Sequence, residues 1–405
     1  MPATDSSSAA APLTSFGRSF LSLRRDHANS ADHHHANSAD LDIDAFQRHV
    51  ADLFLDLLSD STSDPTSPDF LSLAWTRRLL DSFLICLEEF RAILSGLGAT
   101  VVAAPLLDRL LSDFLDRAVK ALDLCNALRD GLDLIRQWRK HLAIAAAALA
   151  SPDPAVPRGE GQIRRARKAL TDLTILMLDD KDAGGVVGQR NRSFGRVGSR
   201  DSHAHGHGHH RRSSSGGSSG SSSGSRSWSA ARQLQAIGGG LPVPRAHDNA
   251  ATGGLASAVY TMGAVLFVVA WALVAAIPCQ DRGLQAHLTV PRNFPWAGPV
   301  MTLYERILDE SKKKERKHSC GLLKEIHQIE RCSRQLMEIT DAAEFPLAEE
   351  KDVEVQEAAQ ELVQVCESLK DGLDPLERQV REMFHRIVRT RTEMLDYLSR
   401  PHNTG

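Results

Sequence analysis

Apolar residues recur along most of this chain in steps of three and four, the period of an amphipathic helix rather than of a strand. The first stripe begins at Asp42 and holds Phe46, Val50, Leu53, Phe54 and Leu57. A polar run from Ser59 to Pro65 breaks it. The next stripe holds Phe70, Leu73, Leu80, Phe83, Leu84, Leu87 and Phe90. The pattern places Ser67 as its N-cap, Pro68 at its first helical position and Asp69 near the positive end of the helix dipole. Gly96 and Gly98 end it. A third stretch spans 105–149 and carries Leu107, Leu110, Leu111, Phe114, Leu115, Ala118, Leu122 and Cys125 on one face. Gly131 marks a candidate kink, and Trp138, Leu142 and Ile144 continue the pattern. Three prolines (Pro152, Pro154 and Pro157) stop it. A fourth helix is predicted over 162–178, so 41–182 reads as an up-down bundle with loops of ordinary length.

Beyond it the period is lost. Residues 183–226 are dominated by Gly, Ser, Arg and His and read as a flexible linker. A short helix and a loop occupy 227–254, followed by an apolar helix over 255–277. Helical period returns over 302–398. In the charge-rich helix expected at 302–340, Leu322, Ile329 and Leu336 are seven apart, and Cys332 and Ile339 repeat that spacing. This heptad-like seam is the candidate partner-docking surface; internal bundle packing is the competing use of the same residues. Two further helices are expected at 351–372 and 375–398, then a tail at 399–405. The predicted fold class is all-α: a multi-helix bundle with a disordered N-terminus, a disordered linker and one long apolar helix.

Composition narrows the classes. The chain has 405 residues, 48 Lys and Arg against 51 Asp and Glu, and a formal net charge of −3. Near-neutral balance argues against a dedicated nucleic-acid binder. Aromatic residues make up only 5%, which argues against an all-β fold. Six scattered Cys without any C-x-x-C argue against both a disulfide framework and a structural zinc site. The first 40 residues are polar, and the hexamer from His27 to Asp32 repeats from His35 to Asp40, as expected of a segment under no packing constraint. No apolar stretch of the secretory type follows Met1. Phe16, Phe20, Leu21 and Leu23 interleave with Arg18, Arg24 and Arg25, which suits a transit peptide or a small docking motif.

The apolar segment admits two readings. Its 23 residues are long enough to cross a hydrocarbon core of about 30 Å, and no charged residue lies between Asp248 and Asp281. A transmembrane or membrane-inserted helix satisfies that pattern. So does a core helix enclosed on all sides, and the seven Ala suit close packing. The flanking charges are nearly level and assign no orientation. The corresponding localisations are cytoplasmic, or membrane-associated or single-pass at the endoplasmic reticulum or plasma membrane.

Motifs with chemical potential are few. His203, His205, His207, His209 and His210 sit in a Gly-spaced linker that offers no fixed ligand geometry. The G-x-S-x-G match at 216–220 lies in low complexity, without the strand and helix a nucleophile elbow requires. Glu315 with His318 and Glu382 with His385 form E-x-x-H pairs of the di-iron type, but both fall on faces expected to meet water. Asn191 begins a glycosylation triplet. Ser213 and Ser214 follow Arg211 and Arg212 and are candidate phosphorylation sites. Residues 184–250 hold nine Arg and two Asp, and 312–317 hold five basic residues, so an anionic membrane is a candidate contact. No phosphate-cradling loop is present. Catalytic residues, metal ligands, cofactors, small-molecule substrates and nucleic acid are accordingly not expected. The rival class is an enzyme of unrecognised type, which needs polar groups converging in a pocket.

The order of these pieces resembles a plant family. A Ser15-Phe16-Gly17-Arg18 element precedes Leu23-Arg24-Arg25. The bundle contains Ala127-Leu128-Arg129-Asp130-Gly131. After the linker come the segment from Ser225 through Trp228 to Gly238 and the run Pro244-Arg245-Ala246-His247-Asp248. The chain resembles the BYPASS-like family, in its ROH-type branch of exocyst-interacting proteins. That resemblance implies a non-enzymatic adaptor or regulator that binds the exocyst's seventy-kilodalton subunit and modulates polarised secretion or cell-wall deposition. The family's other branch implies restraint of a root-derived developmental signal. A membrane-anchored structural protein without an exocyst link is the third alternative. No active-site residue carries over.

Overall fold

Ten α-helices and one 3-10 turn carry the described residues of a computed structural model, which are 33–59, 69–96, 105–150, 158–182, 229–279, 288–316, 319–341 and 344–399. The helices are α1 (His33–Ser59), α2 (Leu73–Ser95), α3 (Pro105–Leu149), α4 (Glu160–Asp182), α5 (Ala230–Gly238), α6 (Ala246–Thr252), α7 (Leu255–Ala276), α8 (Ala297–Lys312), α9 (Lys324–Asp341) and α10 (Glu349–Leu398). No strand occurs among them. The all-α expectation therefore holds.

Two long helices form the frame. Helix α3, 45 residues, lies antiparallel to α10, 50 residues, and their contact is the most extensive in the molecule. At one end of this pair, α4 and α9 complete a four-helix bundle. At the other end α1, α2, α5 and α8 gather around α7. Helix α2 runs parallel to the second half of α10, so that Asp81 meets Gln379, Glu88 meets Arg386 and Arg91 meets Glu393.

Helix α7 decides the packing. All 22 of its residues are buried. An apolar side chain on any other helix must choose one face, but α7 has partners on every side, so every position along it is apolar or small. Its polar atoms are satisfied by the fold: Trp296 donates its indole N–H to the Thr261 hydroxyl at 3.0 Å. The carbonyls of Ala275 and Ala276 accept the N–H groups of Leu322 and Leu323 at 3.0 and 3.2 Å. Of the two readings of 255–277, the structure takes the enclosed core helix. The segment is still long and apolar enough to cross a membrane by length and composition.

Several boundaries differ from the sequence expectations. Helix α1 begins at His33, inside the segment whose composition pointed to disorder. Helix α2 begins at Leu73, and its N-cap is Ser72 rather than Ser67: the Ser72 hydroxyl oxygen accepts from the Trp75 N–H at 3.0 Å. Leu71, at φ 58°, turns the chain just before it. Gly131 is not a kink. It lies within the unbroken α3, where a Cβ would collide with the Pro278 carbonyl, so glycine is what allows the end of α7 to cross there. The helix expected at 302–340 divides into α8 and α9, because 319–323 must pass the C-terminus of α7 and cap its last carbonyls. The two final helices are one. Pro375 lies inside α10 and leaves only the Asp371 carbonyl without an i+4 donor.

Candidate interaction surface

Two of the voids between the helices are too small for a substrate. Voids among the described residues lie between α2, α3, α7 and α10, and between α3, α7 and Leu241–Pro242; the larger holds about 20 Å³, the space of roughly one water molecule. No group of three or more His, Cys, Asp or Glu is arranged to hold a metal among the described residues. Burial pushes the Cys125 thiol up to about 12 and the Cys332 and Cys366 thiols to about 11. Such groups remain thiols at neutral pH and are poor nucleophiles.

Buried polar groups instead join helices. Glu325, at the start of α9, is 5% exposed. Both its carboxylate oxygens accept from the Leu73 N–H, at 3.1 and 3.2 Å, and so cap α2. The Lys324 N–H donates to the Leu71 carbonyl beside it at 2.9 Å. Burial raises the Glu325 pKa above its ordinary value, against the lowering effect of the Leu73 N–H. Arg158 and Asp352 form a second clamp. The guanidinium donates to the Asp352 carboxylate at 2.8 Å and to the Leu149 carbonyl at 2.8 Å. The Arg158 N–H meets the other Asp352 oxygen at 3.0 Å. Three helix ends (those of α3, α4 and α10) are fixed by this one pair. Arg117 of α3 donates to the carbonyls of Ile237, Gly239 and Gly240 and satisfies the C-terminus of α5.

Half-exposed ion pairs run along α10. Arg136 of α3 bridges Asp374 and Glu377 at 2.8 and 2.5 Å. Arg91 of α2 holds Glu393 at 2.9 Å. These side chains are the obvious polar clusters, and their geometry is that of helix cross-links. His49 of α1 meets Glu89 of α2 at 2.6 Å, and this hydrogen bond raises the His49 pKa.

The sequence-predicted site residues are distributed as follows. Leu322, Ile329 and Leu336 are buried, at 2%, 0% and 0% exposed. Ile329 and Leu336 are on α9, which packs against α10 and α4, and Leu322 is in the stretch before it that caps α7, so none of them lies on a free docking face. A heptad spacing specifies a helix-to-helix contact without saying whether the partner belongs to the same chain. Glu382 accepts from the Arg386 guanidinium at 2.6 Å, and His385 is exposed beside the Phe384 ring. His318, Trp228, Ser213, Ser214, Asn191, the His tract and the Leu13–Arg25 element lie outside the described residues. What the sequence reading missed is the outer face of α10. Its signal was present: with a buried stripe at three- and four-residue steps, the residues opposite must face outward along the whole helix.

Residues 8–398 match the family described as "Protein ROH1-like". Protein ROH1D of Arabidopsis thaliana is 51% identical over 96% of this chain and 98% of its own length. Protein ROH1A of the same plant is 37% identical over 88% of this chain and 90% of its own. UPF0496 protein 4 of Oryza sativa subsp. japonica is 25% identical over 66% of this chain and 48% of its own. No solved structure matches the chain. With a family match covering nearly all of its length, and a relative about half identical across the whole bundle, this chain belongs to the ROH1-like family.

Proposed function

We propose that this protein is a non-enzymatic adaptor that works through its exposed helix faces, and that its partner is the helical seventy-kilodalton exocyst subunit of polarised secretion. The observation that carries the reading is the use of polar side chains. Glu325, Arg158, Asp352, Arg117 and Arg136 all join one helix to another. That is the construction of a rigid scaffold. Membership of the ROH1-like family agrees with it. Helix-to-helix docking needs long, ordered amphipathic faces, and α3 and α4 present such faces besides α10. Because α7 is enclosed, the adaptor acts as a water-facing bundle and reaches membranes through its partner.

Titration calorimetry of the full chain with the purified seventy-kilodalton subunit tests this. Saturable binding that survives Ile329→Ala, a change confined to the core, is the expected result. No heat of binding at high micromolar concentration overturns the reading.

A further inference from the structure

The outer face of α10 carries a pattern that its own fold uses only in part: Asp374 pairs with Arg136, Arg381 with Glu377 and Glu367 with Lys370. Thirteen residues spaced alternately four and three apart form one stripe: Val353, Glu357, Gln360, Gln364, Glu367, Asp371, Asp374, Arg378, Arg381, His385, Val388, Thr392 and Leu395. Every one is exposed. The opposite stripe, from Val355 through Leu369 and Val380 to Met394, is buried. The exposed stripe is about 63 Å long at 1.5 Å per residue.

Its charges are segregated. Acidic residues occupy the stripe up to Asp374, and basic residues follow from Arg378 to His385. Complementing the helix dipole does not explain this, because that effect fades within the first and last turns. The change of sign falls in the middle of a 50-residue helix.

Reversal of the stripe about Asp374 sets opposite charges against each other at the two positions on either side of the centre and leaves Glu357 against Thr392. Asp371 then faces Arg378, Glu367 faces Arg381, and Gln364 faces His385. Gln360 lies against Val388, and Val353 against Leu395. A two-fold interface makes that mapping, since a patch must there complement itself in reverse. Side chains four and three apart are also the spacing that keeps one helix in register with another. We propose that a second copy of this chain docks on the stripe, α10 against α10, antiparallel about an axis at Asp374. Asp374 meets its own symmetry mate at the axis, where each Arg136, also paired with Asp133 and Glu377, offsets part of the repulsion. Val353 and Leu395, 49% and 42% exposed, close the two ends. The interface is largely polar, so it weakens with salt.

The test is a charge exchange in the full chain, read by sedimentation equilibrium against the 44.2 kDa monomer mass. One variant is Glu367→Lys/Asp371→Lys, the other Arg378→Glu/Arg381→Glu. All four positions are exposed, so each variant should keep the parent's helical circular dichroism, and loss of the surface pairs Arg381–Glu377 and Glu367–Lys370 should lower Tm by only a few degrees. The parent is expected at twice the monomer mass in low salt. Each variant alone is expected at the monomer mass, because like charges then face each other. An equimolar mixture of the two is expected to return to twice the monomer mass, since reversed residues of one face those of the other. A monomeric parent overturns the proposal. So do variants that remain dimeric, which place the contact elsewhere, and a mixture that stays monomeric.

Discussion

Helices α7 and α10 show two opposite ways in which a helix enters a bundle. Helix α7 is buried over all 22 residues and has no outer side. Helix α10 is buried on one stripe and exposed on the other over 50 residues. The first is apolar in every direction because every direction is protein. The second is periodic because only one direction is. A periodic helix discloses its inner face to sequence reading. A uniformly apolar one discloses only that it avoids water, and lipid and protein interior leave the same mark.

A charge scan gives the largest effect and breaks the comparison most sharply. Asp at Ala264, Val265 or Ala270 points three ways around α7, and each residue is buried. Each substitution should cost on the order of 5 kcal/mol or abolish the cooperative transition, because an unpaired charge is buried. Asp at Val363 on the outer face of α10 should cost less than about 0.5 kcal/mol. Urea unfolding measures both. An α7 position that tolerates Asp would reveal a free side.

Next comes the clamp that fixes the charged end of the molecule. Asp352→Ala leaves Arg158 buried and unpaired, and should cost about 3–5 kcal/mol. Arg158→Met/Asp352→Leu should recover most of that loss in the same urea experiment, since replacing both partners by apolar groups removes the stranded charge.

Glu325 links the two ends. Glu325→Ala uncaps α2 and should cost about 1–2 kcal/mol. Glu325→Gln retains a carbonyl acceptor and should cost less. The pair also has a pH signature. The folded-state pKa of Glu325 lies above its ordinary 4.5, so the folded protein binds that proton more tightly. Stability of the parent relative to the Gln variant should therefore fall as pH rises from 4.5 to the raised value, and level off beyond it. A stability difference independent of pH would contradict the buried carboxylate.

His49 gives the smallest effect. Its pKa is raised by Glu89, so the pair's contribution is complete below the ordinary 6.5 and is lost as pH rises through the folded value. His49→Gln should cost under about 1 kcal/mol at pH 6 and nothing measurable once the parent His is neutral. Thermal unfolding in parallel at pH 6 and pH 9 measures it.

Much of the fold was legible in the sequence. Stripes such as Phe46–Leu57 and Phe83–Phe90 announced their helices, because a one-sided core enforces a period of 3.6. Lengths were harder to read. Gly131 and Pro375 look locally like breaks, yet both lie inside continuous helices. Gly131 is there to admit the Pro278 carbonyl, a residue 147 positions away in the chain. Tertiary contact, not local preference, decides such positions. The interaction surface was half legible. Ile329 and Leu336 of the expected seam lie on the buried side of α9, whereas Leu322 precedes that helix in the stretch that caps α7, and spacing does not say that the partner is the chain's own α10. The ends that Glu325 and Arg158 cap were not legible at all, because each pairs residues nearly 200 or more positions apart.

The central claim is that α7 is the core of one bundle. Alkaline carbonate extraction of membranes from cells expressing the tagged full chain tests it most directly, followed by hydrogen exchange on the released protein. The account predicts release into the supernatant, with α7 amides exchanging as slowly as those of α3. Retention in the membrane pellet, with α7 as the protected segment, would contradict it.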